Sequence, residues 1–204
     1  EQNTPYHCFT VGEHILHSLL YVEADKVLRL TMLLHDIAKP VMKTTDGNGR
    51  DHFKLHAIKG EEMAKQILRR LKFDNDTIAH VSRLIRYHDD RPEGQMNSVR
   101  RAVNRIGEDL FPLYLKIQKA DMLAQSEYCR EEKIRRQESV KACYEEILKK
   151  HQCISMKMLA VSGKDLIQAG YRPGPELGEI LNRLLDHVLE IPEDNTKEKL
   201  MSLI

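Results

Sequence analysis

The residues of this sequence most suited to chemistry are an adjacent histidine and aspartate, His35-Asp36, and a later aspartate, Asp121. His35-Asp36 lies in the last turn of a predicted helix, where the exposed carbonyl ends of the helix dipole favour a nearby cation. Asp121 falls on the same predicted helix face as Tyr114 and Ile117, so packing would bury its carboxylate. A buried carboxylate without a partner is costly, and a metal ion would offset that cost. These residues therefore predict a metal site.

Three histidines extend this candidate site. His88 closes an apolar helical stripe, His56 stands on the core-facing side of its predicted helix, and His14 borders the apolar face of the first predicted helix. A single histidine on such a face is usually a hydrogen-bonded core residue, so each one alone leaves the metal role open. Together with the pair and the later aspartate, they predict that five helices direct ligands into the core of one bundle.

The ligand types indicate the ions and the chemistry. Imidazole and carboxylate ligands without thiolates suit Mn, Fe, Co, Ni or Zn, with Mg as a further candidate, and the site would hold one or two ions. The metal would lower the pKa of a bound water toward neutrality and give a hydroxide that attacks phosphorus. We predict two catalytic residues. Asp36 would act as ligand and orienting base, bridging the ions if two are bound, and Lys39 would stabilise the phosphoryl charge.

Four arginines, Arg86, Arg91, Arg100 and Arg101, are predicted to cluster around the mouth of this site, where their guanidinium groups would bind phosphate. Ordinary solvated helix faces explain these arginines equally well. His7 lies outside the ligand set and is expected to contact substrate. The predicted substrate-binding residues are therefore Lys39, Arg86, Arg91 and His7.

The elements that must position these residues are helices. Apolar residues recur at helical spacing along almost the whole chain, and no segment of useful length alternates like a half-buried strand. The sequence predicts an all-α fold with two parts. Residues 1–150 form a metal-binding helical bundle, and residues 151–204 form a small helical tail.

Proline and capping residues predict where several elements begin and end. Pro40 places the end of the second helix near Lys39, because proline disfavours helix in the residue before it. The turn-rich segment 43–55 is compatible with a small hairpin. Asn75 and Ser98 are the predicted N-caps of two later helices.

The tail carries its own signals. Ser162-Gly163-Lys164-Asp165 forms a predicted capping box, and Asn195 with Glu198 repeats that pattern. Lys164 and Arg172 would contact an RNA backbone, although the turn that holds Arg172 is equally explained as a packing corner.

The composition of the chain limits its expected partners and cellular compartment. The chain has 32 Lys plus Arg against 31 Asp plus Glu, which excludes an overall basic field that would recruit nucleic acid unaided. The four cysteines form no C-x-x-C pair and are expected to be free thiols in a reducing cytosol. The densest apolar stretch, Leu28 to Leu34, is too short to span a bilayer, and the first residues lack signal-peptide character. We expect a cytoplasmic protein with no membrane partner.

The order His14, His35-Asp36, Asp121 resembles the signature of the HD superfamily of metal-dependent phosphohydrolases. The segment His35-Asp36-Ile37-Ala38-Lys39-Pro40 is similar to its core motif. More narrowly, three segments resemble the HD-containing C-terminal region of bacterial tRNA nucleotidyltransferases, the CCA-adding or multifunctional CCA-type enzymes. Those segments are Pro5-Tyr6-His7 to His14, His56-Ala57 to Asn75, and Ser162 to Gly178 with Asn195-Thr196. The resemblance covers nearly the whole chain.

This resemblance implies a principal metal site and ligands for a second. The principal ligands would be His14, His35, Asp36 and Asp121, and the second site would use His56 and His88. It also implies hydrolysis of a phosphomonoester or a 2′,3′-cyclic phosphodiester, on a nucleotide or an RNA terminus, with tRNA as a partner. The nucleotidyltransferase head of those enzymes is absent, so we expect an excised domain that adds no nucleotides by itself.

Two other interpretations stay open at this point. The chain would be a non-catalytic body that positions tRNA for a nucleotidyltransferase head elsewhere in the polypeptide, or a stand-alone nucleotidase of the same superfamily. The intact ligand set favours hydrolysis, whereas the tail resemblance favours an RNA role.

Overall fold

The computed structural model describes residues 1–204. Helices dominate it, and its one sheet is a two-stranded antiparallel hairpin, so the predicted all-α class is confirmed. None of the helices is both long enough and apolar enough to cross a membrane. The helices are α1 Val11–Ser18, α2 Lys26–Leu34, α3 Lys39–Met42, α4 His56–Arg70, α5 Asn75–Tyr87, α6 Met96–Ile106, α7 Phe111–Leu123, α8 Arg130–Lys149, α9 Gly163–Gln168, α10 Pro175–Glu190 and α11 Lys197–Met201.

The hairpin lies in the turn-rich segment between α3 and α4. Its strands are β1 Thr44–Thr45 and β2 Asp51–His52, and Thr44 pairs with His52. Asp46 shapes the turn, because its Oδ1 accepts hydrogen bonds from the backbone N–H groups two and four residues later. The compatibility of this segment with a small hairpin is therefore confirmed.

The chain divides into two compact units. The first comprises Glu1–Arg91 and Asp109–Glu138, and the second comprises Pro92–Glu108 and Ser139–Ile204. The division falls inside α8 and differs from the predicted boundary near residue 151. The physical reason is that α6, which is distant along the chain, packs against α10. Such long-range packing leaves no local mark in the sequence. The functional division at residue 151 stays a prediction.

In the first unit, α4 and α5 pack against each other and α2 packs on α5. Burying an aliphatic side chain of this core stabilises the fold by about 1.5–3 kcal/mol. Gly60 lets α4 approach closely, since an added Cβ would lie 3.3 Å from Ile85 Cγ2 and 3.5 Å from the carbonyl oxygen of His35. The buried apolar residues between these helices are Leu34, Ala64, Leu68, Ile78, Val81 and Ile85.

The end of α2 differs from the sequence-based expectation. The helix ends at Leu34 with His35 as its C-cap, rather than near Lys39. Pro40 is the second residue of α3, where its missing N–H costs no helical hydrogen bond. His35-Asp36 therefore follows the last turn of α2 instead of lying within it.

Two predicted caps of the first half are also corrected. Asp74, not Asn75, caps α5, because its Oδ1 accepts a hydrogen bond from Thr77 N at 2.8 Å. The helix that Ser98 was expected to cap begins three residues earlier than that cap would place it, at Met96 with Gln95 as the N-cap. In both cases the N-cap, Asp74 or Gln95, has an extended backbone and precedes the residue that was chosen by its side-chain type.

The second unit has its own apolar core. Arg100 is buried, and its guanidinium donates to the carbonyl oxygens of Leu189 (2.7 Å) and Glu190 (3.1 Å) at the end of α10. These bonds satisfy carbonyls that the helix itself leaves free. The core residues are Cys153, Leu159, Val161, Leu166, Ile180, Leu184, Leu185, Val188, Leu189 and Leu200.

The two capping predictions of the tail had different outcomes. The capping box of Ser162 and Asp165 at the start of α9 is confirmed. At α11 the cap is Thr196 rather than Asn195, because Asn195 Oδ1 instead accepts a hydrogen bond from Ala160 N at 2.9 Å.

Candidate metal centre

Six histidine and aspartate side chains converge inside the first unit, and each residue is at most 7% exposed. They come from five segments of the chain, so no single helix could present them. Each lies in or beside a helix whose apolar face packs into the core, which explains why the side chains point inward. They are His14 in α1, His35-Asp36 after α2, His56 at the start of α4, His88 at the C-cap of α5, and Asp121 in α7.

Backbone carbonyls orient the four imidazole rings. In each ring Nδ1 lies within hydrogen-bond distance of a carbonyl oxygen, so Nδ1 carries the proton and the neutral ring keeps a lone pair on Nε2. Hydrogen bonds of this kind fix the tautomer of metal-binding histidines in proteins. The contacts are His14 to Ala124 (3.2 Å), His35 to Met32 (2.7 Å), His56 to Phe53 (2.8 Å) and His88 to Ile85 (2.7 Å).

The four Nε2 atoms face one another in two pairs. His14 Nε2 lies 3.2 Å from His35 Nε2, and His56 Nε2 lies 3.2 Å from His88 Nε2. Two nitrogen lone pairs cannot hydrogen-bond to each other, so a proton or a metal ion is required to make either arrangement favourable.

Asp36 lies between the two histidine pairs. Its Oδ2 is 3.5 Å from His14 Nε2 and 3.3 Å from His35 Nε2. Its Oδ1 is 3.4 Å from His56 Nε2 and 3.5 Å from His88 Nε2. One carboxylate therefore offers one oxygen to each pair, which is the geometry of a bridging ligand.

Asp121 completes the first histidine pair. Its Oδ1 lies 3.0 Å from His14 Nε2 and 3.7 Å from His35 Nε2. Its Oδ2 accepts a hydrogen bond from Gln125 Nε2 at 2.9 Å. One oxygen of Asp121 thus faces the cluster, while the other is held by Gln125, which follows the end of α7.

The electrostatics of the cluster favour positive charge. Burial disfavours the charged form of His35, but the carboxylates of Asp36 and Asp121 outweigh it and raise the pKa of His35. Burial also opposes ionisation of Asp36, yet the charges of His35 and Lys39 hold the pKa of Asp36 well below its usual range. Against the same burial, hydrogen bonds from His14 and His35 lower the pKa of Asp121. Ionised carboxylates around a stabilised positive charge are what a cation site requires.

The donor set fits divalent transition ions. Two groups of donors, His14 with His35 and Asp36, and Asp36 with His56 and His88, each have their ligand atoms within 4.8 Å of one another. Both oxygens of Asp36 are buried and accept no hydrogen bond of good geometry. Lys39 forms an ion pair with Oδ2, whereas Oδ1 has no such partner, a costly state that metal coordination would relieve. Nitrogen and carboxylate donors without sulfur suit Mn, Fe, Co, Ni or Zn.

The cluster opens into a cleft of about 290 Å³ that Lys39 and His7 also line. Lys39 Nζ lies 2.7 Å from Asp36 Oδ2 and donates to Gln2 Oε1 at 3.1 Å. Burial and the nearby Lys39 charge lower the pKa of His7 from 6.5 to about 4. His7 is therefore neutral at pH 7 and lies beside the cationic Lys39 in this cleft, which Arg50 and Lys54 also line.

The predicted arginines have different positions. Arg91 Nη2 lies 3.4 Å from Asp121 Oδ2, at the edge of the cluster. None of the four predicted arginines lines the cleft itself, and Arg86 Nη1 donates to Glu61 on α4 at 3.3 Å. The difference follows from helix geometry, because residues two apart on a helix face different directions and His88 is the one that faces the core. Arg100 and Arg101 instead donate to the end of α10, to its backbone carbonyls and to the Glu190 carboxylate respectively.

Sequence reasoning missed several residues that line the cleft, among them Tyr6, Arg50 and Gln125. Gln125 lies four residues after Asp121, so helical spacing was a signal that could have found it. Tyr6 and Arg50 reach the cleft through the N-terminal segment and the hairpin turn. No local pattern in the sequence indicates that approach.

Comparisons with known proteins relate the chain to tRNA nucleotidyltransferases. The family model described as "tRNA nucleotidyltransferase domain 2 putative" matches residues 53–204. A CC-adding tRNA nucleotidyltransferase of Thermus thermophilus is 32% identical over 186 residues, which are 88% of this chain and 41% of that protein. An A-adding tRNA nucleotidyltransferase of Deinococcus radiodurans is 34% identical over 193 residues, which are 89% and 43%. The chain thus spans less than half the length of these curated relatives. No solved structure matches it.

Proposed function

This chain belongs to the tRNA nucleotidyltransferase family, and we propose that its buried histidine and aspartate cluster is an HD-type metal-dependent phosphohydrolase centre. The observation that carries the proposal is the position of Asp36 between two pairs of histidine nitrogens. A packing role does not explain it. Lys39 and the positive charge favoured at His35 offset the Asp36 carboxylate, but the facing lone pairs of His56 and His88 remain costly without a cation.

The cluster would hold two divalent ions. His14, His35, Asp36 and Asp121 would bind the first, and His56 and His88 with the other oxygen of Asp36 would bind the second. Mn, Fe, Co, Ni or Zn suits these donors, and Mg is a weaker candidate because it prefers oxygen ligands. When bound, such ions lower the pKa of water and neutralise charge on a phosphoryl group.

The other residues of the cleft have distinct tasks in this proposal. The Lys39 ammonium, held beside Asp36, is placed to attract a phosphoryl oxygen and to offset its charge during hydrolysis. Neutral His7 can donate a hydrogen bond from one ring nitrogen and accept one at the other, so it can orient a substrate or a water without adding charge to the cleft. Arg91 would bind a substrate oxygen at the cluster edge.

The proposed substrates are phosphomonoesters or 2′,3′-cyclic phosphodiesters of a nucleotide or an RNA terminus, with tRNA as the partner that the relatives' names suggest. The direct test is a hydrolysis panel with nucleoside 3′-phosphates and 2′,3′-cyclic phosphates, each assayed with Mn²⁺, Fe²⁺, Co²⁺, Ni²⁺, Zn²⁺ and Mg²⁺. Wild type should be active with at least one ion.

Two aspartate variants make this assay specific. Asp36→Asn should lower kcat/KM by about 100-fold or more, because it removes the shared ligand. Asp76→Asn, in the exposed first turn of α5, is the matched control and should retain activity. Hydrolysis that is equal in wild type and Asp36→Asn would refute the proposal.

A second candidate function is a non-catalytic body that positions tRNA. It is favoured by the exposed side chains of Lys164 and Arg172 in the segment 162–178. This candidate predicts tRNA binding that survives chelation, is lost in the double variant Lys164→Met/Arg172→Gln, and is accompanied by no hydrolysis with any ion. Both functions can coexist in one chain, and then hydrolysis and chelation-resistant binding would both be observed.

A further inference from the structure

A second cleft, of about 320 Å³, adjoins the one at the metal cluster. The two clefts have Tyr6, His7, Asp89 and Gln125 in common as walls, so they lie side by side. Sites that bind small ligands commonly have volumes of about 300–1,000 Å³, and each cleft alone lies at the lower end of that range. The space therefore suits a ligand that extends through both clefts.

Three cationic side chains line the second cleft: Arg91, Lys133 and Arg136. Lys133 Nζ donates to Gln125 Oε1 at 2.8 Å and lies 5.0 Å from the centre of the Tyr6 ring. No carboxylate lies within ion-pair distance of Lys133 or Arg136. Two of the three positive charges are thus without an acidic partner.

The acidic residues of the second cleft do not cancel this charge. Asp89 pairs with Arg91 at 3.0 Å, and Glu132 lies exposed at the rim. Burial, together with repulsion from Arg91 and Arg136, lowers the pKa of Lys133, although the nearby charge of Asp121 acts in the opposite direction. Because like charges have been brought together here, a bound anion would relieve their repulsion.

Hydrogen bonds attach the second cleft to the cluster. Gln125 Oε1 accepts a hydrogen bond from Lys133 Nζ, and Gln125 Nε2 donates a hydrogen bond to Asp121 Oδ2 at 2.9 Å. Arg91 Nη2 lies 3.4 Å from the same Asp121 oxygen. An anion bound by Lys133 and Arg91 would therefore be held at a fixed position relative to a proposed metal ligand.

We infer that the second cleft binds a further phosphate of the substrate, one internucleotide step from the phosphate at the cluster, so that the preferred substrate is an oligonucleotide terminus rather than a mononucleotide. The inference rests on the proposed function for the reaction at the cluster. Lys133 and Arg136 contact the phosphate oxygens, and Arg91 spans the junction of the clefts. Tyr6 positions the Lys133 ammonium through its ring.

The first test compares two substrates that end in the same 2′,3′-cyclic phosphate, a mononucleotide and a trinucleotide. Wild type should hydrolyse the trinucleotide with at least about tenfold higher kcat/KM, since a phosphate bound by two cations adds charge-assisted hydrogen bonds. In Lys133→Met/Arg136→Gln the ratio of the two kcat/KM values should fall about tenfold. The control, Lys119→Met/Arg135→Gln, removes two exposed cations from α7 and α8 and should keep the wild-type ratio. Equal kcat/KM values for both substrates in wild type would overturn the inference.

The second test measures binding and is independent of hydrolysis. A fluorescent RNA trinucleotide with a 3′-phosphate is titrated by anisotropy into metal-free protein over a range of salt concentrations. The inference predicts that the Lys133→Met/Arg136→Gln variant binds about tenfold more weakly than wild type, with a shallower salt slope by about 0.7 per lost phosphate contact.

These outcomes separate the two proposals. If the trinucleotide binds in a way that depends on Lys133 and Arg136 but no substrate is hydrolysed, the proposed reaction is rejected and the second phosphate site is kept. Identical trinucleotide affinity and salt slope in wild type and in Lys133→Met/Arg136→Gln would reject the site, whatever the hydrolysis assay shows. A mononucleotide carrying both a 3′- and a 5′-phosphate is a further arm. If it binds as tightly as the trinucleotide, the ligand is a bisphosphate and the assignment to an oligonucleotide is wrong.

Discussion

His56 Nε2 and His88 Nε2 lie 3.2 Å apart although both rings already donate their Nδ1–H groups to backbone carbonyls. Neither nitrogen can donate to the other in the neutral state, and Asp36 Oδ1 is the nearest carboxylate oxygen to both. The two facing lone pairs repel each other unless a cation lies between them. Metal binding is therefore expected to stabilise the first unit.

Metal should stabilise the fold. A ligand present at 100 times its Kd adds about 2.7 kcal/mol to the free energy of unfolding. For a protein of this size that corresponds to an increase in Tm of about 5–10 °C. We expect removal of metal with a chelator to lower Tm by this amount and the active ion to restore it, as measured by differential scanning fluorimetry. An unchanged Tm on chelation and on metal addition would show that the cluster binds no ion.

Lys39 should matter for the reaction more than for folding. Lys39→Met removes the ammonium beside Asp36, and we expect kcat to fall about 100-fold, the size of effect seen when one donor to a developing charge is lost. The matched control is Lys59→Met, which removes a surface lysine paired with Glu62 and should leave kcat unchanged. If both variants retain wild-type kcat, the Lys39 charge has no role in hydrolysis.

His7 should titrate at unusually low pH. Burial and the Lys39 charge lower its pKa to about 4, so the ring resonance of metal-free protein should have its NMR midpoint near that pH. The resonance is assigned by its absence in His7→Gln.

The lowered pKa of His7 also sets a direction for stability. The folded chain binds fewer protons at His7 than the unfolded chain between pH 6.5 and 4, so this residue makes the free energy of unfolding fall as pH falls through that window. Urea unfolding of wild type and His7→Gln across the window should show a weaker pH dependence in the variant. A midpoint near 6.5 and equal pH dependence would contradict the buried placement of His7.

Gly60 should couple the packing of α4 to the metal cluster. Gly60→Val introduces a branched side chain against Ile85 and the His35 carbonyl, and we expect it to destabilise the first unit by about 1–3 kcal/mol and to weaken metal binding. Gly178→Ala in α10 is the control, because an added Cβ there meets nothing within 4 Å. That control should be neutral or slightly stabilising. Tight metal binding by Gly60→Val would show that the close approach of α4 to His35 is not needed.

The cluster could be predicted from the sequence to a considerable extent. Asp121 and His88 occupy positions on apolar helical stripes, and the cost of burying such groups pointed to a common partner. Helical periodicity also gave the all-α class. These features depend on local spacing, which the chain displays directly.

What could not be predicted depends on contacts between distant segments. The end of α2 at Leu34 and the placement of Pro40 in α3 are set by the turn that presents His35-Asp36 to the cluster. The packing of α6 with α10 is likewise tertiary. Tyr6 and His7 line both clefts only because the N-terminal segment reaches the cluster. Residue spacing contains no information about such approaches.

Metal stoichiometry of wild type and Asp36→Asn is the most direct test of the central claim that Asp36 is shared by two ion sites. Protein saturated with the ion that supports hydrolysis, passed through a desalting column, would be analysed by inductively coupled plasma mass spectrometry. Asp76→Asn would serve as the control. The structure predicts about two ions per chain in wild type and in the control, and fewer than one in Asp36→Asn, because both donor sets lose the same carboxylate. Equal stoichiometry in wild type and Asp36→Asn would contradict this account.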